Sequence, residues 1–251
     1  MRTDYNCYIG SWPFSLRKKA SLDDLMCVHD RHGFETGVVG NLDSVLCNDP
    51  LEGDIALADI LKHTRYGMSL TVNPMLPNIE RDFIKAGELF DYNAFRIYPS
   101  VHGYGFDAPE FRNFMDIAGE TGKPVLIMCS FGDARLDYLL MQRPVEMGPL
   151  KEFLGSEHKN PLVLCNIRMH EIDDAADEMR KHQNIYIDTS ELKHSMFAIN
   201  DLKAAGFAQR LAFGSFFPLF DFGAAYIQLE GVDEDLRREI LNRDVLKEVK
   251  K

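Results

Sequence analysis

This 251-residue chain is poor in positive charge, in patterned cysteines and in long apolar runs. Lys and Arg number 28 against 39 Asp and Glu, leaving a net charge of −11. That deficit excludes a sequence-independent nucleic-acid binder, which needs a basic face to displace counterions from phosphates. The five cysteines, at 7, 27, 47, 129 and 165, are odd in number and never stand as Cys-x-x-Cys. Neither a disulfide framework nor a zinc knuckle is therefore expected, and a reducing, cytoplasmic location fits best. No stretch approaches the roughly 18 apolar residues of a membrane span, so no membrane partner is expected. There is no Gly-x-Gly-x-x-Gly phosphate loop, no repeat of fixed period and no Pro/Gly-rich linker. Residues 1–251 are expected to form one domain; the sequence leaves homo-oligomerisation open.

What is present is alternation. Hydrophobic residues make up 45% and charged residues 27% of the chain, enough for a large core. Short apolar or β-branched runs recur at 3–9, 36–40, 68–73, 94–98, 124–129, 162–167, 184–188 and 211–215. Between them lie segments of helical period: Ser21 to His32 with a Ser cap, Leu51 to His63, Asn78 to Phe90, Pro109 to Thr121 and Ile172 to His182. The tail from Asp233 to Lys251 reads as a closing helix with a solvated face. Runs such as Val125-Leu126-Ile127-Met128 are nearly continuously apolar, which suits parallel strands covered on both faces. Eight such units in about 250 residues point to an α/β fold of the (β/α)8 barrel type.

In such barrels the reacting groups stand at the C-terminal strand ends and in the loops that follow. Read off the sequence, these are Asn6 and Tyr8, Asn41 and Asp43, Asn73, Arg96 and Tyr98 with His102, Met128 with Ser130 and Asp133, Asn166 with Arg168 and His170, Asp188 with Ser190 and Glu191, and Phe216. Strand alternation sends Asp4, Asn6 and Tyr8 to one face. Cys7, Cys129 and Cys165 lie in apolar runs and read as small buried hydrophobes. His29 and His32 read as complements to a helix C-terminus, His158, His182 and His194 as surface, and Arg135 as a helix cap or an inward-pointing cation.

Together, Asp4-x-Asn6-x-Tyr8-x-Gly10, Trp12-Pro13-Phe14, Val72-Asn73-Pro74, Phe95-Arg96-Ile97-Tyr98-Pro99, Gly122-Lys123-Pro124-Val125-Leu126-Ile127 and Phe213-Gly214-Ser215-x-x-Pro218 resemble the amidohydrolase superfamily. The likeness is to its amidohydrolase-related branch of metal-dependent (β/α)8 hydrolases and decarboxylases. That resemblance implies a His-x-His on the first strand, one His each on the fifth and sixth, and an Asp on the eighth. Here Asn6 and Tyr8, Met128, Asn166 and Phe216 stand at those places. Zinc needs imidazole, thiolate or carboxylate donors, so no metal is expected as cofactor. A hard divalent ion held through Asp4 or Asp188 stays open as an alternative.

The remaining polar set suits a small anionic organic molecule. Arg96 and Arg168 are candidate clamps, His102 and Tyr8 candidate acid/base groups, and Asn6, Trp12, Tyr98, Asn166 and Asp188 candidate substrate contacts. Each has a plainer reading: a structural ion-pair partner for Arg96, a loop filler for His102, packing for Trp12. The function expected is an amidohydrolase-like hydrolase or lyase without its metal, with a non-catalytic binding protein as the alternative and a true metal enzyme as a third.

Overall fold

The computed structural model describes residues 1–14, 19–132, 142–192, 195 and 197–246. Asp133, Arg135 and His194, singled out above, lie outside the described residues.

Eight strands appear where the apolar runs predict them: β1 (Thr3–Ile9), β2 (Thr36–Asn41), β3 (Gly67–Val72), β4 (Ala94–Ile97), β5 (Val125–Met128), β6 (Leu162–Cys165), β7 (Ile185–Asp188) and β8 (Leu211–Ala212). Each pairs in parallel with its sequence neighbour, in the order β1 to β8. The first and last are joined by Tyr5 N–H to Phe213 O at 2.9 Å, Phe216 N–H to Asn6 O at 2.6 Å and Tyr8 N–H to Phe217 O at 2.8 Å. The molecule is a (β/α)8 barrel. No described helix is long and apolar enough to cross a membrane.

The helices are α1 (Leu22–His32), α2 (Leu42–Val45), α3 (Pro50–Leu61), α4 (Ile79–Leu89), α5 (Pro99–His102), α6 (Pro109–Thr121), α7 (Met147–Leu154), α8 (Met169–Arg180), α9 (Ala198–Ala204), α10 (Phe222–Ile227) and α11 (Glu234–Asn242). Their ends follow local chemistry. Ser21 and Asp24 form a reciprocal capping box that opens α1, and Gly33, at φ 70°, closes it in the left-handed region that glycine enters without a Cβ penalty. The tail differs from expectation. Its helix stops at Asn242 because Val245 turns under the barrel, fully buried, with its N–H donating to the Tyr5 hydroxyl at 2.9 Å.

Alternation sorts the strand residues into two layers. Val39, Leu70, Ile97, Ile127, Leu164 and Ile187 face the helices, while Val38, Arg96, Leu126, Met128, Val163 and Tyr186 fill the barrel. One strand breaks the rule. The β1–β2 register shifts between Asp4 and Cys7, so Asp4 does not share a face with Asn6 and Tyr8. Asp4 turns out to α1 and meets His29 at 3.2 Å, whereas Asn6 reaches the interior groups of β4 and β7. A local irregularity of this kind inverts side-chain direction, which the alternating pattern could not foresee.

Candidate functional site at the C-terminal end of the barrel

The five positions singled out at strand ends form one chain of contacts. Asn6 Nδ2 donates to Asn166 Oδ1 and to Asp188 Oδ2, both at 2.7 Å. The Tyr8 hydroxyl donates to Met128 Sδ at 3.2 Å, and the Tyr8 ring meets Phe216 edge-on at 5.9 Å between centroids. Asn166 and Phe216 both hold left-handed backbone, at φ 55° and 54°. For a bulky residue such as Phe that conformation is costly and persists only where the surroundings hold it. Gly214 stands where a Cβ would lie 2.9 Å from Asn6 Cβ and collide with the Asp188 carboxylate, so only glycine lets β8 approach this network.

Arg96 sits beneath these residues with no exposed surface. Its Nε donates to Ser69 Oγ at 2.9 Å, Nη1 to Asn6 Oδ1 at 3.2 Å, and Nη2 to the carbonyls of Tyr5 at 3.0 Å and Val38 at 2.8 Å. The guanidinium also lies 4.5 Å from the Tyr8 ring centroid. The clamp expected of Arg96 is therefore spent on the protein: its donors bind β1, β2 and β3, and the Tyr8 ring covers it. Asn6 relays this cation to Asp188, one amide facing a donor with its oxygen and a carboxylate with its nitrogen.

Asp188 accepts from Asn6, from the Asn166 N–H at 2.9 Å and from Ser190 Oγ at 3.0 Å. Burial still raises its pKa to about 6, desolvation outweighing the three hydrogen bonds. Asp4 is likewise satisfied: Oδ1 accepts the N–H groups of Asn6 and Ser215, each at 3.0 Å, and Oδ2 faces His29. His29 stands in the last turn of α1, as expected, and is a buried link whose other nitrogen meets the Tyr66 hydroxyl at 3.1 Å. Asp4, Cys7 and His29 are the group of metal-capable side chains found among the described residues, with ligand atoms within 4.8 Å of one another. They lie between β1 and α1, away from the strand ends, and burial pushes the Cys7 thiol well up, against the thiolate a metal wants.

Above the network the mouth is filled by rings. Phe131, which sequence reasoning passed over, is the hub: its ring lies 4.8 Å from Trp12, 5.2 Å from Tyr98, 5.2 Å from Phe216 and 5.7 Å from Tyr8, all edge-on. Trp12 is thus a packing residue. Burial raises the Tyr8 and Tyr98 phenols well above their ordinary range, so both stay neutral. The signal for Phe131 was an aromatic two residues past a strand's apolar run.

His102 is placed differently. Its Nε2 lies 2.7 Å from the Val45 carbonyl, which can only accept, so Nε2 carries the proton and Nδ1 is left bare and buried without a partner. Desolvation lowers its pKa. Close by in sequence, the Ser100 and Tyr104 hydroxyls are also buried and unpartnered.

Ser100 borders a cavity of about 50 Å³ between the ends of β4, β5 and β6. Arg168, Arg143, Ser130, Gln142 and Glu171 also line it. Of the residues expected to bind or act on a ligand, Arg168 alone lines this cavity; Arg96, Tyr8 and His102 do not. Ser130 donates to the Asn166 carbonyl at 2.9 Å.

Asn41, Asp43 and Asn73 bond backbone N–H groups. Asn41 caps α2 by accepting from the Asp43 N–H, Asp43 accepts from the Ser11 N–H at 3.1 Å, and Asn73 accepts from the Met75 N–H at 3.1 Å. His158 and His182, expected on the surface, are half-buried and meet the carbonyls of Phe153 and Gly155. His170 is exposed, and Glu191 is half-buried.

No protein-family model and no curated protein match this chain. Solved structures do. A dihydroxybenzoic acid decarboxylase from Polaromonas sp. JS666, with bound manganese and the inhibitor 2-nitroresorcinol, superposes with a TM-score of 0.72 at 13% identity, over 96% of this chain and 94% of that one. A probable 2-pyrone-4,6-dicarboxylic acid hydrolase from Acinetobacter baumannii with citric acid bound gives 0.65 at 15%, over 96% of each chain. An uncharacterised TIM-barrel protein from Bordetella bronchiseptica gives 0.70 at 14%, over 96% and 95%. At these identities the likeness is one of fold, and it places the chain among (β/α)8 barrels from end to end.

Proposed function

We propose that this chain is an amidohydrolase-like barrel that works without a catalytic metal ion and binds a small organic anion at its C-terminal face. The observation that carries the reading is the chain of contacts that joins Asn166 to Asn6, Asn6 to Phe216, Phe216 to Tyr8 and Tyr8 to Met128. Two amides, a phenol, a thioether and a phenyl ring offer none of the imidazole, thiolate or carboxylate donors that a catalytic zinc site draws on. Asp188 and Asp4, the carboxylates nearby among the described residues, have their oxygens engaged by protein groups. The residues present do not fit a divalent ion.

The anion follows from the charge left at the mouth. Arg168 and Arg143 border the cavity there, and one of the superposable barrels holds citric acid. A second reading, catalysis of hydrolysis or bond cleavage by acid/base help, is favoured by one observation, the bare Nδ1 of a neutral His102. Equilibrium dialysis of chelator-stripped protein against citrate tests the main reading. Binding that persists after stripping is expected; binding that appears only on adding zinc or manganese overturns it. Turnover abolished by His102→Gln, with citrate binding kept, would establish the second reading beside the first.

A further inference from the structure

We infer that the cavity between the ends of β4, β5 and β6 is a carboxylate-head pocket, with Arg168 and Ser100 as its principal contacts and the rest of the ligand lying outside it. The inference rests on the anion-binding reading and gives it a place and a ligand class.

Three independent features meet there. The first is an orphan donor at its edge: Ser100, one of the lining residues, is 4% exposed, and its hydroxyl is buried with no hydrogen-bond partner. A buried hydroxyl left unpaired costs free energy that a ligand oxygen would recover. The second is charge. Arg168 is half-buried, Arg143 is exposed, and neither forms an ion pair with a described residue. Among the described residues the only carboxylate on the lining is Glu171, whose Oε2 is held by the Arg168 N–H at 2.8 Å. Among the described lining residues two guanidinium groups stand against one carboxylate, an excess of positive charge in a protein whose net charge is −11. The third is the helix behind it. Arg168 caps the twelve-residue α8, so the positive end of that helix dipole adds to the same wall.

Size selects the ligand class. A cavity of about 50 Å³ has space for about three to five water-sized groups, since one water needs about 10–15 Å³ on this measure. That admits a planar carboxylate, which an arginine fork matches in two parallel hydrogen bonds, and excludes an aromatic ring. The body of the acid must stay over the Phe131 side of the mouth, where Gln142 is fixed by its own bonds to the Phe131 backbone.

Isothermal titration of the intact chain tests this, with citrate, acetate and inorganic phosphate as probes. Citrate and acetate are expected to bind, phosphate more weakly than citrate. Arg168→Gln should weaken citrate binding about tenfold or more and Ser100→Ala about threefold or more, at unchanged melting temperature, because charge-assisted and previously orphaned donors are lost. Lys151→Gln, on the outer surface, should bind as the parent does. If both pocket variants bind citrate like the parent, the pocket assignment is wrong while the anion-binding reading stands. If the parent binds neither citrate nor acetate, that reading fails and the pocket falls with it. If phosphate binds more tightly than both acids, the carboxylate class is overturned.

Discussion

Arg96 and Asn6 set the chemistry at the scale of single residues. A guanidinium with no exposed surface is tolerable only where its donors are matched, and here Ser69, Asn6 and two strand carbonyls match them. Removing Asn6 breaks two charges at once. Asn6→Ala should lower the unfolding free energy by about 2–4 kcal/mol in denaturant titration, because Arg96 Nη1 and Asp188 Oδ2 both lose a partner. Arg96→Lys should cost a comparable amount: a single ammonium cannot span β1, β2 and β3 as the fork does. An Arg96→Lys protein as stable as the parent would show that the fork is not structural. Gly214→Ala should be worse tolerated than alanine at Gly103, where an added Cβ meets nothing within 4 Å, although both substitutions touch turns of the same barrel face.

The candidate positions were legible in the sequence, because an apolar run of fixed length announces its own end. Which of them face one another was not legible: Asn6 meets Asn166 and Tyr8 meets Met128 across the barrel, from strands that are not neighbours in the sheet. Nor was direction. The register shift in β1 turned Asp4 outward, and nothing in the residues from Thr3 to Ile9 encodes a shift that depends on pairing with β2.

Between elements, buried carboxylates weld helices to strands. Asp54 of α3 accepts from the Thr71 N–H at 2.6 Å and Thr71 Oγ1 at 3.2 Å on β3, and from Ser44 Oγ at 2.8 Å on α2. Burial nonetheless raises its pKa to about 7. A carboxyl whose folded pKa exceeds its unfolded value holds its proton better in the native state, so its contribution is complete below about pH 4 and is lost as pH rises through about 7. Asp54→Asn removes that dependence. Between pH 5 and 8 the stability difference between parent and variant should move toward the variant by about 2–3 kcal/mol. A difference that does not change with pH would mean that Asp54 ionises as freely in the fold as outside it. The thiols divide by element as well. Cys27 and Cys47 are exposed while Cys7 and Cys165, in strands, and Cys129, just past the end of β5, are buried. A thiol reagent should therefore modify two groups in the native protein and five after denaturation.

At the scale of the molecule, the barrel keeps the placement of an active site while its centre is packed. Eight strands deliver side chains to one end, and at that end Phe131, Phe216, Tyr8, Tyr98 and Trp12 close the axis. The eight-strand count was readable because parallel strands covered on both faces must be apolar nearly throughout. The plug was not, since a loop aromatic looks the same in sequence whether it covers a site or leaves it open. What remains accessible lies off the axis, beside Arg168. The central claim, that the site at the strand ends carries no catalytic metal, is tested by elemental analysis of the protein purified from zinc- and manganese-supplemented cells. Transition metal well below one equivalent per chain, with citrate binding unchanged by chelator, is the expected result. One or more equivalents per chain, lost to chelator together with ligand binding, would contradict it.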